Sequence, residues 1–256
     1  MYLGVDEAGK GPVLGPMVAA AVLADPAHLP ADVDDSKRLS SDRREAIDAG
    51  LAALDTVAIG VAFVEPDEID RPDTDMNTLT VRAQARATRT ALSGAVAADC
   101  DEPIRVVADA GDTSEERFAR RLREFVDGDG GAGDGGTDDD GAGDGGADRT
   151  DAIPEAGAAL PSVDVTAAHG ADADDPVVGA ASVVAKVSRD ERMAAIDAEY
   201  TEYADLGSGY PSDPTTRSFL REYVADTGDV PDCARRSWAT CDDLLAAAEQ
   251  SALDEF

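Results

Sequence analysis

More than any other segment, the first two dozen residues constrain what this chain can fold into. An apolar strand over residues 2–5 runs into two adjacent acids, Asp6 and Glu7. A glycine- and proline-rich turn follows as far as Pro16, and a second apolar strand over residues 17–23 returns from it. Two apolar runs joined in this way read as neighbouring strands. Successive side chains on a strand point to opposite faces, so both acids can serve one site only if the backbone turns sharply there, which Gly9 and Gly11 allow. Crowded carboxylates are unfavourable unless a cation compensates, and hard oxygen ligands suit Mg²⁺ or Mn²⁺. The same segment, Gly4 to Gly11, matches a phosphate-binding loop up to its last position. That position needs a Ser or Thr hydroxyl and holds Gly11, and two acids inside the cradle would repel a nucleotide.

Further along, residues 57–64 and 104–109 read as strands, with Asp109 closing the second. Residues 78–98 and 115–126 read as helices, 163–166 as a short strand, and 176–199, 214–225 and 241–249 as helices. Strands that first pair and then alternate with helices indicate an α/β domain with a mixed sheet, followed by a mostly helical tail. Asp172 stands just before the long helix, whose N-terminal dipole tolerates negative charge.

Residues 127–150 interrupt this order with a low-complexity run of Gly and Asp, in which Gly-Ala-Gly-Asp-Gly-Gly occurs twice. Such a run cannot bury enough surface to offset its ordering entropy, so a flexible insert over about 127–160 is expected. The likeness to calcium-binding Gly-Asp repeats fails because Gly stands where the second Asp is needed.

The formal net charge of −32 argues, taken alone, against a polyanionic ligand. Only three of the 22 basic residues are lysine, namely Lys10, Lys37 and Lys186. Acid-rich, lysine-poor composition suits molar intracellular salt, where the Debye length is about 3 Å and repulsion of phosphate is screened. The three lysines that persist are expected to approach phosphate or the acidic centre. Three cysteines without a C-x-x-C pair support neither a disulfide framework nor a thiolate zinc site. No apolar run approaches the roughly 18 to 20 residues of a membrane span, so a soluble, cytoplasmic protein is expected.

Seven segments then occur in a telling order. They are Gly4-Val5-Asp6-Glu7-Ala8-Gly9-Lys10-Gly11-Pro12, Asp35-Ser36-Lys37-Arg38-Leu39, Val107-Ala108-Asp109, His169-Gly170-Ala171-Asp172, Ala180 to Val187 with Arg189-Asp190, Gly207 to Pro214, and Arg236-Ser237-Trp238. In this order they resemble type 2 ribonuclease H (ribonuclease HII) of archaeal character, over nearly the whole chain except the Gly/Asp insert. The resemblance implies a ribonuclease H-like catalytic domain over 1–200 and a helical substrate-binding extension over 201–256. It implies Asp6, Glu7, Asp109 and Asp172 as metal-binding catalytic acids for two Mg²⁺ or Mn²⁺ ions. Gly9, Lys10 and Gly11 would grip a ribose 2′-hydroxyl, Tyr210 would stack near the next sugar, and Lys37, Ser182 and Lys186 would complete the substrate contacts. Gly170 stands where a basic residue is common in relatives.

The expected activity is cleavage of RNA in RNA–DNA hybrids, and 5′ of ribonucleotides in DNA, by a monomer with a possible sliding-clamp contact. Two alternatives remain at this point. One is the type 3 enzyme of the same fold, and the other a non-catalytic acidic nucleic-acid binding or scaffold protein.

Overall fold

The computed structural model describes residues 1–30, 33, 39–93, 102–128 and 160–254. Five strands form one sheet in the order β3-β2-β1-β4-β5. They are β1 (Tyr2–Ala8), β2 (Met17–Ala24), β3 (Ala58–Val64), β4 (Ile104–Asp109) and β5 (Val163–Ala168). Pairing is antiparallel between β1 and β2 and between β2 and β3, and parallel between β1 and β4 and between β4 and β5. The mixed sheet follows from the sequence order: the tight turn after β1 returns antiparallel, whereas later strands arrive through helical crossovers and run parallel. Every residue of β2 is buried, as its uninterrupted Val and Ala run demands of a central strand.

The helices are α1 (Ser41–Ala52), α2 (Pro66–Ile69), α3 (Met76–Ser93), α4 (Glu115–Val126), α5 (Ala171–Asp174), α6 (Pro176–Glu199), α7 (Pro214–Thr227) and α8 (Ala239–Asp254). On one sheet face Leu3, Val5, Ala19 and Ala21 pack with Val81, Ala85, Phe118 and Leu122 of α3 and α4. On the other, Val18, Ala20 and Val22 pack with Val177, Ala181 and Val184 of α6 and Ile47 and Leu51 of α1. A Cβ at Gly4 would stand 2.4 Å from the carbonyl carbon of Val177, so only glycine lets α6 start directly over β1. This contact brings the beginning of α6 to the end of β1 that carries the acids.

A third cluster joins Phe219, Leu220 and Val224 of α7 to Met193 and Ile196 of α6 and to Val13 and Leu14 of the turn after β1. The C-terminal helices are thus packed against the glycine-rich turn itself.

Several boundaries differ from the sequence reading. β1 continues through Asp6, Glu7 and Ala8, which pair with Ala20, Ala19 and Val18 of β2, and the chain bends only at Gly9, at φ 84°. The two acids therefore occupy opposite faces of a strand end rather than a sharp bend. α1 was not anticipated, because its buried side chains are only Ile47, Asp48 and Leu51 in an otherwise polar sequence; its start is capped by Ser40, which accepts from Arg43 N at 3.3 Å. The short α2 was likewise missed. The helix expected over 78–98 begins at Met76 and is described as far as Ser93. Most of the Gly/Asp run, Lys37 and Cys100 lie outside the described residues. Among the described residues no helix is long and apolar enough to cross a membrane.

Candidate active site

Asp6 is buried on the α6 face of β1, where the Ser182 side chain hydrogen-bonds its carboxylate. Its Oδ1 also accepts from Glu7 N at 2.7 Å. Glu7 points to the α3 face, and its Oε2 accepts from Gln84 Nε2 at 2.7 Å. The same amide donates to the carbonyl of Asp109 at 3.1 Å, linking the ends of β1 and β4. The parallel register runs to Val5 and Ala108, directly before Asp6 and Asp109, and the charge of Asp109 acts on the Asp6 carboxyl. Asp109 Oδ1 accepts from the main-chain N–H of Ala171 at 2.8 Å, which ties it to the turn leading into α5, where the buried Asp172 lies. That turn is itself pinned, because His169 reaches Glu115 Oε1 at 2.8 Å and the Asp112 carbonyl at 2.7 Å.

Burial first, then the charge of Glu7, push the Asp6 carboxyl well above its ordinary range. Burial pushes Glu7 up to about 7, with Asp109 and Asp172 adding to the rise and Gln84 and Lys10 opposing it. Asp6 and Glu7, both raised by burial and by neighbouring carboxylates, stand with Asp109 and Asp172 in a site whose charge asks for a cation. Among the described residues no three His, Cys, Asp or Glu side chains are gathered tightly enough to hold an ion. The donor chemistry fits a hard divalent metal all the same, since these four side chains offer only carboxylate oxygens.

Beside the acids lies a cavity of about 490 Å³. Its lining unites Glu7, Gly9, Lys10, Gly11, Ser182, Lys186 and Tyr210, all expected from the sequence, with Arg44, which was not. Lys10 donates to the Gly111 carbonyl and, at 3.1 Å, to Asn77 Oδ1, so it spans the mouth of the site toward the loop after β4. Lys186 pairs with Asp190 one turn further along α6. Two of the three lysines thus stand at the cavity, and Lys37 lies outside the described residues. Tyr210 is 44% exposed, one of two exposed large hydrophobic side chains among the described residues. Its loop is fixed from below: Asp213 accepts from Ser208 N at 2.7 Å, and Thr216 Oγ1 accepts from Gly209 N at 3.0 Å.

Sequence reasoning missed Arg44, Gln84 and Arg235. Arg44 donates to the Leu39 carbonyl at 2.6 Å and lies 3.7 Å from Asp190, while its Nε is buried without a hydrogen-bond partner among the described residues. An arginine in a polar helix carries no signal that it faces inward. Gln84 lies at 0% exposure in an alanine-rich helix, and a buried amide there was the one available hint. The motif Arg236-Ser237-Trp238 opens on a surface side chain, with Arg236 pairing with Asp229 at 2.7 Å. Its neighbour Arg235 is the buried one.

A mixed five-stranded sheet with acids at the ends of adjoining parallel strands defines a metal-dependent nuclease of the ribonuclease H-like class. The particular family follows from comparison with known proteins. The family model described as Ribonuclease HII matches residues 3–130 and 144–241, leaving out part of the Gly/Asp run. A ribonuclease HII of Haloarcula marismortui is 47% identical over 260 residues, covering 100% of each chain. Among solved structures, the ribonuclease H2 of Pyrococcus horikoshii has a TM-score of 0.71 at 29% identity, over 97% of this chain and 98% of that one. The ribonuclease HII in a complex with PCNA from Archaeoglobus fulgidus has a TM-score of 0.69 at 30% identity, over 100% of both. The chain belongs to the ribonuclease HII family, and its activity is that of an endoribonuclease acting on RNA–DNA hybrids and on ribonucleotides in DNA. The family uses divalent metal ions for catalysis.

Proposed function

We propose that Asp6, Glu7, Asp109 and Asp172 hold two divalent ions, Mg²⁺ or Mn²⁺, and that cleavage falls 5′ of a ribonucleotide, leaving 5′-phosphate and 3′-hydroxyl ends. The observation that carries this reading is the cavity that opens at Glu7 and is walled by the glycine turn, Ser182, Lys186 and Tyr210. When bound, the ions supply Lewis acidity at the scissile phosphate and the leaving oxygen. The chain's own residues do the rest. Gln84 and the Ala171 N–H orient Glu7 and Asp109, and the Ser182 hydroxyl orients Asp6. Main-chain groups of Gly9, Lys10 and Gly11 contact the 2′-hydroxyl, the handle by which RNA differs from DNA. Tyr210 stacks on the following sugar, and Lys37, Lys186 and Arg44 meet phosphate. In molar salt, counterion release adds little affinity, so hydrogen bonds and stacking dominate.

In this reading residues 1–200 are the catalytic unit and 201–256 the substrate-binding extension of a monomeric cytoplasmic enzyme. A sliding-clamp contact is supported by the Archaeoglobus relative, whose structure was solved as a complex with PCNA. The test is a duplex holding one ribonucleotide, incubated in molar salt with Mg²⁺, with Mn²⁺ and with neither. A single cut 5′ of the ribonucleotide, with the stated ends and only when a metal is present, is expected. No cut under either metal would overturn the proposal.

A further inference from the structure

Arg235 leads the largest fully buried side chains, yet its hydrogen-bond acceptors are main-chain carbonyls. Its guanidinium donates to the carbonyls of Gly9 at 2.6 Å, Lys10 at 3.0 Å and Gly15 at 2.9 Å. It lies 5.0 Å over the ring of Trp238, whose Nε1 donates to the Gly11 carbonyl at 3.3 Å. A second buried guanidinium, Arg189, donates to the carbonyls of Leu14 and Pro16, both at 3.3 Å. The segment bearing Arg235 is itself anchored, because its N–H bonds the Val13 carbonyl at 2.8 Å and Asp70 accepts from Arg236 N and Ser237 N at 2.7 and 2.9 Å.

The consequence is geometric. In a trans peptide the C=O of one residue and the N–H of the next point in opposite directions. Drawing the carbonyls of Gly9 and Lys10 down onto Arg235 turns the N–H groups of Lys10 and Gly11 the other way, and the cavity lies against these residues. The three carbonyls are met by three different nitrogens, Nε, Nη1 and Nη2, a spread of donors that a lysine ammonium, with its three N–H groups on one nitrogen, does not reproduce. We infer that Arg235, assisted by Trp238, is a positioning residue that presents the Lys10 and Gly11 amides to the ribose, so that the C-terminal segment sets the enzyme's discrimination of RNA from DNA. The inference rests on the sugar-contacting role proposed above for the turn.

The experiment uses the full chain in an Asp109→Asn background to suppress turnover. Fluorescence anisotropy gives the ratio of affinities for a duplex with one ribonucleotide and for the same duplex all in DNA. Arg235→Lys is expected to lower this ratio about tenfold, and Trp238→Phe, which keeps a ring under the guanidinium, about threefold to tenfold, as loss of well-placed hydrogen bonds implies. Affinity for the all-DNA duplex stays within about twofold in both. Should Arg235→Lys fail to melt cooperatively, Trp238→Phe decides. Gly11→Ala separates the two readings, since its Cβ would sit 3.6 Å from the Tyr210 ring, a normal contact at the cavity wall. A ratio lowered by Gly11→Ala but unchanged in folded Arg235→Lys and Trp238→Phe would overturn the inference alone. Equal loss of both affinities would reduce Arg235 to a structural role and also overturn it. An unchanged ratio in Gly11→Ala would remove the sugar-contacting role of the turn, and the inference with it.

Discussion

The acids stand where the sheet leaves them, at the ends of β1 and β4 and in the short α5 that follows β5, whereas the glycine turn opposite takes its shape from an arginine 226 residues away from Gly9 in sequence. The acidic wall is locally encoded and electrostatically unfavourable: burial and the charges of neighbouring acids raise both Asp6 and Glu7. The glycine wall is distantly encoded and held by hydrogen bonds from two buried guanidiniums. Burial and the nearby Arg189 pull Arg235 down to about 9, which leaves it cationic at neutral pH. A wall of carboxylates and a wall of hydrogen-bonded main chain thus meet across one strand end, the first strained by charge and the second held by the C-terminal segment.

The largest expected effect lies on the acidic wall. Asp109→Asn keeps size and can still accept from Ala171 N, but removes a charge from the shared site; single-turnover cleavage is expected to fall on the order of 10³-fold with an unchanged melting temperature. On the glycine wall, Gly9→Ala forces a side chain onto a φ of 84° and sets a Cβ 2.3 Å from Arg189 Nε and 2.8 Å from the Pro16 carbonyl. It is expected to cost about 1–3 kcal/mol of stability and to lower cleavage about tenfold, read from a melting curve and an initial rate.

Sequence made one of these walls far more legible than the other. An apolar run ending in Asp6-Glu7, and another ending in Asp109, mark strand ends because hydrophobic periodicity reports burial directly. The mixed pairing and α6 follow from the same signal, whereas the order of the strands in the sheet was not read from it. The boundary at Glu7 was misread because glycines two and four residues on suggested an early bend, while pairing with Ala19 and Ala20 of a fully buried β2 extends the strand. α1 was missed because Ile47 and Leu51 give too thin an apolar stripe to register. Arg44 and Arg235 were missed for a deeper reason: nineteen arginines look alike in sequence, and which of them is buried depends on tertiary contacts that local pattern does not report.

A smaller effect separates the walls by pH. Glu7 in the folded, metal-free protein titrates at about 7, above the ordinary 4.5 expected of the unfolded chain. Between those values the folded state binds the extra proton, so stability falls as pH rises from about 4.5 to about 7 and then levels off. Glu7→Gln removes this slope and is expected to raise the melting temperature of the metal-free protein at pH 8 by a few degrees, with little change at pH 4. An unchanged melting temperature at pH 8 would show that Glu7 is not the strained acid. Smallest of all, Lys10→Arg retains a cation able to span toward Gly111 and Asn77 while leaving the main chain of the turn in place. Steady-state rates should stay within about threefold, because a partly exposed side-chain contact that arginine can also make contributes little when exchanged.

The most direct measurement is cleavage of a duplex with one ribonucleotide by the Asp6→Asn, Asp109→Asn double variant, compared with each single variant and with chelator-treated parent enzyme. If the acids act as one metal-holding unit, the double variant loses about as much activity as the worse single variant, and chelation abolishes cutting until a divalent ion is restored. Cleavage that persists in the double variant, or that survives chelation, would contradict this account of the site.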